Sequence, residues 1–148
     1  MKKLLVLAGS MLLASQAALA AANPDGLVKM RQKYMEAIGG HMATIGGAMQ
    51  ANLGKPDLIK TQAEALSAAT KNLLDVFPAG SLTKKSHAKA EIWKNWKDFS
   101  TKAENVQKAT AAFAVAASGK DAKAIMAAYK KVGESCKSCH KQYKMPEH

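Results

Sequence analysis

The chain has 148 residues, with 22 Lys and Arg against 11 Asp and Glu, which gives a formal net charge of +11 at neutral pH. This length corresponds to one ordinary domain rather than several. A basic balance suits nucleic acid, anionic proteins or membrane surfaces, but a solvated lysine-rich surface without a dedicated partner would have the same composition.

The first twenty residues have the pattern of an export signal. Lys2 and Lys3 form a positive region, residues 4–19 are largely apolar, and residues 18–20 read Ala-Leu-Ala, an A-x-A-type cleavage site. The apolar run is short for a membrane span, which needs ~20 apolar residues. We therefore predict a signal peptide at residues 1–20 and one periplasmic domain at residues 21–148, without a membrane span. Removal of the two leader lysines lowers the formal charge from +11 to +9. An exported chain meets little nucleic acid, so we expect anionic redox proteins or membrane surfaces as targets.

Two amphipathic helices are predicted in the first half of the domain. Residues 23–26 read Asn-Pro-Asp-Gly and can start a helix. The positions that follow in steps of three and four, as in a bundle helix, are Val28, Arg31, Met35, Ile38, Met42, Ile45 and Met49. Gly54 and Pro56 end this pattern, and Asp57 is the expected N-cap of the second helix. The buried face of that helix is predicted to contain Ile59, Gln62, Leu66, Ala69, Leu73 and Val76.

Two further helices follow a polar loop at residues 81–88. The third helix is expected to bury Ile92, Trp96, Phe99, Ala103, Val106, Thr110 and Phe113. Asp121 can cap the fourth helix, whose predicted inner face consists of Ile125, Tyr129, Val132, Cys136, Cys139 and Tyr143. No segment alternates with the period of two that strands require. The fold class is therefore all-α, an antiparallel four-helix bundle, which places cofactors between facing helices.

The last helix contains the motif Cys136-Lys137-Ser138-Cys139-His140, the C-x-x-C-H spacing of c-type haem attachment. Positions i, i+3 and i+4 share one helix face, so both thiols and the imidazole can meet one porphyrin. Cys136 and Cys139 would form the thioethers, and His140 would supply the proximal axial nitrogen. A redox dithiol would need a βαβ context, and a structural zinc site would need a second cysteine pair. One covalently bound haem c is the prediction.

The sequence resembles class II cytochromes c, the family of cytochrome c′ and its low-spin, methionine-ligated relatives. The haem motif is C-terminal, residues 28–35 are similar to the family's first helix with its Arg31-Gln32 pair, and residues 91–93 read Glu-Ile-Trp like the start of its third helix. The resemblance implies haem packed within a left-twisted bundle, often in a homodimer formed through the first two helices. High-spin members leave the sixth iron position open behind an apolar residue and bind small gases. Low-spin members fill it with methionine and carry electrons.

Arg31 is expected on a buried face, where a guanidinium needs a partner. Together with Gln32 it is predicted to meet a haem propionate; extension of its side chain to solvent is the alternative. Lys84, Lys85 and Lys89 are weaker candidates for the second propionate.

Met35 lies one turn beyond Arg31, about 6 Å along the helix axis. It is the candidate sixth ligand, although methionine is also a common core filler. The segment from Met35 to Gly40 looks like the low-spin branch. His41 and His87 are rival ligands, and Lys144 matches a basic position that flanks the proximal haem face in the family.

The predicted function is that of an exported monohaem electron carrier with His/Met-ligated haem. The alternative is a five-coordinate cytochrome c′ that binds nitric oxide or carbon monoxide. An enzyme is the least favoured class, because a peroxidase would need a distal acid–base pair. Paired glycines at 39–40 and 46–47 are unusual within a helix. They predict either close approach of another helix, including one from a second subunit, or local fraying.

Overall fold

A computed structural model describes residues 23–146, and the predicted signal peptide lies outside them. The elements are α1 (Pro24–Gln50), α2 (Pro56–Thr70), a 3₁₀ helix (Leu74–Val76), α3 (Glu91–Lys94), α4 (Trp96–Ala117) and α5 (Ala122–Tyr143). Close packing joins α1 to α2, α2 to α4 and α4 to α5, whereas α1 and α5 pack less closely on one another. The predicted all-α four-helix bundle is confirmed, with α3 and α4 together forming its third member. None of the helices within residues 23–146 is long and apolar enough to cross a membrane.

The helix starts follow the expected capping chemistry at two of three sites. Asn23 Oδ1 accepts a hydrogen bond from the Gly26 backbone nitrogen at 2.8 Å. Asp121 Oδ1 caps α5 by accepting from two backbone nitrogens, at 2.9 and 3.2 Å. The prediction of Asp57 as an N-cap is wrong, because Lys55 holds that position and Pro56 occupies the first turn. Asp57 also lies in the first turn, where its charge favours the positive end of the helix dipole.

The third bundle helix is interrupted at Asn95, whose φ of −118° and ψ of 44° lie outside the helical region. This break changes the helical phase, and Trp96, predicted in the core, is 40% exposed. Trp93 is half-buried, and its Nε1 donates to the carbonyls of Phe77 and Pro78, both at 3.2 Å. The second helix also ends earlier than expected, at Thr70, but Leu73 and Val76 remain buried in the turns beyond it.

The core follows the predicted faces closely. Ile45, Leu66, Phe99, Phe113 and Val132 are all fully or almost fully buried. Buried apolar surface of this kind supplies most of the favourable free energy of folding.

The loop that precedes α3 is fastened to the end of α5. Ala88 and Lys144 form an isolated antiparallel bridge. The Lys89 nitrogen donates to the Tyr143 carbonyl at 2.9 Å, and the Met145 nitrogen donates to the His87 carbonyl at 2.7 Å. The loop therefore lies beside the predicted haem-binding motif.

Helix α1 is continuous through all four paired glycines, so the fraying interpretation is wrong. The surroundings of the four glycines differ. A Cβ at Gly46 would lie 2.6 Å from Tyr129 Oη, which donates to the Met42 carbonyl at 3.0 Å. A Cβ at Gly39, Gly40 or Gly47 would meet no atom within 4 Å. At Gly46 the neighbour is the Tyr129 side chain of α5, and close approach of a helix from a second subunit stays a prediction.

Candidate haem site

A cavity of about 550 Å³ lies where α1 faces the C-terminal end of α5. Its volume falls within the roughly 300–1,000 Å³ typical of small-molecule and cofactor sites. The lining residues come from α1, α5 and the chain between residues 77 and 92, and they are Arg31, Gln32, Met35, Glu36, Gly39, Phe77, His87, Ala88, Ile92, His140, Tyr143 and Lys144. The fold thus gathers four of the predicted site residues, Arg31, Gln32, Met35 and His140, around one space.

The two cysteines are half-buried on α5 and pack against the hydrophobic core. Burial, reinforced by the charge of Cys136, raises the pKa of the Cys139 thiol to about 11. Burial also raises the pKa of Cys136. Reactive redox dithiols show the opposite behaviour, a lowered pKa that exposes the thiolate at neutral pH. A redox role for this pair is therefore disfavoured.

Metal binding by a conventional cluster finds no support in the described part of the chain. Residues 23–146 contain no group of three or more His, Cys, Asp or Glu side chains arranged to hold a metal ion. What the structure offers instead is two half-buried thiols one turn apart and an exposed imidazole, His140, that lines the cavity. This donor set fits a covalently attached haem c, which needs two thioethers and one axial nitrogen.

Arg31 is only 3% exposed, so the solvent-extended alternative is wrong. One terminal nitrogen donates to Val76 O at 3.3 Å and Ser81 Oγ at 2.9 Å, and the other donates to Ser81 O at 3.0 Å and Ser86 Oγ at 2.9 Å. The guanidinium also lies 5.0 Å from the centre of the Phe77 ring, a cation–π distance. Burial lowers the pKa of Arg31, yet an arginine stays protonated in proteins. Arg31 therefore anchors the loop at the cavity edge, and its propionate contact stays a prediction.

The remaining sequence candidates are dispersed around the cavity. Gln32 lines it and donates from Nε2 to the Lys85 carbonyl at 3.0 Å. Lys89 borders a separate surface hollow, and its propionate role stays a prediction. His87 lines the cavity, whereas His41 is not among the lining residues and its Nδ1 lies 2.7 Å from Gln62 Oε1 on α2.

A polar group that the sequence patterns do not identify joins α4 to the end of α5. Tyr143 Oη donates to Asp98 Oδ2 at 2.6 Å, and Lys102 Nζ lies 4.0 Å from the same carboxylate oxygen. Burial, together with the Asp98 contact, raises the pKa of Tyr143 to about 12. Lys102 also reaches Ser138 Oγ, within the haem motif, at 3.5 Å. These contacts fix the last turns of α5, on which His140 lies.

A covalent haem on the last helix of a four-helix bundle defines a distinct class of c-type haem proteins. Comparison with known sequences identifies the family within that class. A sequence model described as "Cytochrome C'" matches residues 26–144, and the chain belongs to the cytochrome c′ family. Its cofactor is haem c, attached through Cys136 and Cys139. Proteins of this family are non-enzymatic and typically periplasmic.

Individual relatives agree with this assignment. Cytochrome c′ of Rhodospirillum rubrum is 31% identical over 145 residues, covering 97% of this chain and 99% of the relative. Cytochrome c-556 of Agrobacterium tumefaciens (strain II Chrys) is 32% identical over 123 residues, covering 81% of this chain and 98% of the relative. The structure of cytochrome c′ from Shewanella frigidimarina has a TM-score of 0.77 and 31% identity, and the match covers 84% of this chain and 98% of that one. A nitric oxide complex of a cytochrome c′ variant from Alcaligenes xylosoxidans has a TM-score of 0.74 and 27% identity, and the match covers 84% of this chain and 98% of that one.

Proposed function

We propose that this protein holds one haem c between α1 and α5, with His140 as the proximal ligand, and binds small gases such as nitric oxide on the Met35 side. The observation that carries the proposal is the form of the α1 wall. Met35, a flexible apolar side chain, lines the cavity together with Gly39, where an added Cβ would meet no atom within 4 Å. In this proposal a diatomic ligand binds beside that wall. The nitric oxide complex of a similar cytochrome c′ supports the same assignment.

Haem c, when bound, would supply an iron that His140 holds and that can bind one further ligand. The chain's own residues determine which ligand reaches the iron. Met35 presents a thioether and no proton donor, so it excludes water without stabilising a charged ligand. Arg31 and its hydrogen bonds to Ser81 and Ser86 hold the neighbouring loop in place. In this proposal a propionate accepts from Gln32 and from the Nε N–H group of Arg31, the one guanidinium donor that the four hydrogen bonds to the loop leave, and Lys89 lies near the second propionate.

A second candidate function is electron transfer with Met35 bonded to the iron. Met35 and His140 line the same cavity from facing helices, which is the arrangement that axial ligation from both sides needs. The similarity to a cytochrome c-556 and the resemblance of residues 35–40 to the low-spin branch also favour it. Methionine ligation would raise the reduction potential relative to histidine alone. The two functions therefore differ in one bond.

Carbon monoxide binding to the ferrous protein separates these functions. We expect the stopped-flow rate of the wild type to rise linearly with carbon monoxide concentration, because no ligand must leave first. Met35→Leu, a control of similar volume without sulfur, should behave like the wild type, and Met35→Ala should bind faster because bulk is removed. A wild-type rate that saturates with concentration, and a linear rate in Met35→Leu, would instead establish methionine ligation and electron transfer.

Export is part of this proposal. It assigns residues 1–20 to a signal peptide and residues 21–148 to the mature domain. N-terminal sequencing of the periplasmic protein should begin at Ala21. A homodimer formed through the first two helices also stays a prediction, for which the open positions Gly40 and Gly47 on α1 leave space.

A further inference from the structure

The positive charge of the chain is concentrated in two segments, residues 84–102 and 137–144. Together they contain nine lysines and two carboxylates, a formal excess of seven positive charges, within a mature domain of +9. We call this set the lysine face. Its members are Lys84, Lys85, Lys89, Lys94, Lys97, Lys102, Lys137, Lys141 and Lys144.

The fold brings the two segments together beside the haem cavity. The bridge between Ala88 and Lys144 joins them at one point, and the contact between Lys102 Nζ and Ser138 Oγ at 3.5 Å joins them at another. Lys144 lines the cavity itself. One side of the lysine face, at Lys102 and Lys144, therefore borders the site at which the haem is attached, whereas Lys94 and Lys97 line a neighbouring hollow.

Most of these charges have no internal partner. Of the two carboxylates in these segments, Asp98 already accepts a hydrogen bond from Tyr143. Glu91 is therefore the one carboxylate of the two without that contact. Within residues 23–146 the ion pairs of the lysine face are those of Lys85 with Asp25 and of Lys102 with Asp98, apart from the contacts of Lys144. Two haem propionates would reduce the excess of seven to five. Concentrated like charge disfavours the compact state, so it contributes nothing to folding stability.

A surface hollow with exposed apolar side chains adjoins the lysine face. Leu82 and Met145 are 43% and 46% exposed, and together with Lys84, Lys89 and Glu91 they line this hollow, which has a volume of about 760 Å³. Apolar side chains surrounded by polar and charged ones are the anatomy of a protein–protein interface. A hollow accepts a protruding side chain of another protein, whereas a lipid surface presents no such protrusion. The shape therefore favours a protein partner over a membrane.

We propose that the lysine face docks an acidic protein that exchanges one electron with the haem. The proposal rests on the haem of the proposed function, whichever ligand lies opposite His140. In the exchange the ferrous iron loses one electron to become ferric, the acceptor in the partner gains that electron, and no covalent bond or proton moves. Positive charge around the site would raise the association rate with an anionic partner, and salt would suppress the effect.

The first test compares two double variants with the same change in net charge. Lys97→Glu/Lys141→Glu alters the lysine face, and Lys123→Glu/Lys130→Glu alters exposed lysines elsewhere on α5. Along α5, at 1.5 Å per residue, position 141 lies about 27 Å from position 123 and about 17 Å from position 130. Both separations exceed the Debye length, which is about 10 Å at 0.1 M salt. The control therefore changes the total charge without changing the charge beside the cavity.

The measurement is stopped-flow oxidation of the ferrous protein by ferricyanide at ionic strengths of about 0.1 M and about 1 M, where the Debye length is about 10 Å and about 3 Å. At 0.1 M we expect the lysine-face variant to react about 10-fold more slowly and the control to change less than about 2-fold, as local electrostatic steering requires. With the cationic oxidant tris(phenanthroline)cobalt(III), the lysine-face variant should instead react faster than the control. Equal slowing of both variants, or no slowing of either, would overturn the proposal.

The second test identifies the class of partner from amide chemical shifts of the holoprotein with poly-L-glutamate. We expect shifts confined to the lysine face, retained in the control and lost in the lysine-face variant. Sedimentation with phosphatidylglycerol vesicles, without poly-L-glutamate shifts on this face, would assign it to a membrane and overturn the proposal. These shifts do not depend on an iron–methionine bond, so failure of this proposal and failure of the gas-binding proposal give different results.

Discussion

Replacement of Arg31 by methionine tests the anchoring of the loop at the cavity edge. Arg31→Met keeps much of the side-chain volume but removes all four hydrogen bonds to residues 76–86. The Ser81 hydroxyl retains a bond to the Pro78 carbonyl at 2.7 Å, and the Ser86 hydroxyl retains one from the Ala88 nitrogen at 3.0 Å. The carbonyls of Val76 and Ser81 lose the donor that Arg31 supplies.

The expected loss of stability follows from these two carbonyls. A buried polar group without a partner costs about 1–3 kcal/mol, so two cost about 2–6 kcal/mol. Removal of a desolvated cation recovers part of this, because the four hydrogen bonds of Arg31 go to neutral groups and none goes to a carboxylate. We therefore expect the free energy of unfolding to fall by about 3 kcal/mol. For a domain of this size that corresponds to a decrease in Tm of about 10 °C.

Urea denaturation of the holoprotein, followed by circular dichroism, measures this change. Lys33→Met, on an exposed face of the same helix, is the control and should change stability by less than about 0.5 kcal/mol. Arg31→Lys should recover only part of the loss, because an ammonium group cannot reproduce the planar fork. Wild-type stability in Arg31→Met would refute the anchoring role. A shift in reduction potential in the same variant would support the propionate contact as well.

Three further predictions concern attachment, packing and ionisation. The double variant Cys136→Ser/Cys139→Ser should lose haem to acidified acetone while the wild type retains it, because thioethers do not dissociate; equal retention would contradict covalent attachment through these two residues. Gly46→Ala should destabilise the fold by about 1–3 kcal/mol because its Cβ meets the Tyr129 hydroxyl, and Tyr129→Phe should relieve the clash. Gly47→Ala, at an open position, should gain up to about 1 kcal/mol, and an equal loss at both glycines would refute the packing argument. Tyr143 should ionise with a pKa of about 12 in ultraviolet titration, so its contribution to stability is complete below pH 10 and is lost as the pH rises through 12. Ionisation of all three tyrosines near pH 10 would contradict that environment.

The sequence alone was sufficient to predict the bundle and the identity of the cofactor. Phe99, Phe113 and Val132 repeat at helical spacing, and that spacing reports directly which face is buried. The C-x-x-C-H spacing encodes its chemistry locally, so no tertiary information is needed to interpret it. The same periodicity predicts Met35 on the inner face of the first helix, the motif assigns His140 to the fourth, and the structure brings both to one cavity.

Polar partners that are distant in the sequence could not be predicted in this way. Periodicity indicates that Arg31 is buried, but it cannot show that Ser81 and Ser86 receive its hydrogen bonds. The interruption at Asn95 was missed for a related reason. The apolar spacing of residues 92–99 continues across the break, and backbone dihedral angles are not encoded by hydrophobicity. Hydrophobic spacing therefore predicts Trp96 in the core, although this side chain is 40% exposed.

The absorption spectra of the purified ferric and ferrous wild type test the central claim most directly. An open position opposite His140, with Met35 as the wall residue, predicts a high-spin haem in both oxidation states. The ferrous spectrum should change as soon as nitric oxide is added. Low-spin spectra in both states, with the weak far-red ferric band of iron–thioether coordination, would contradict the gas-binding account and assign Met35 to the iron.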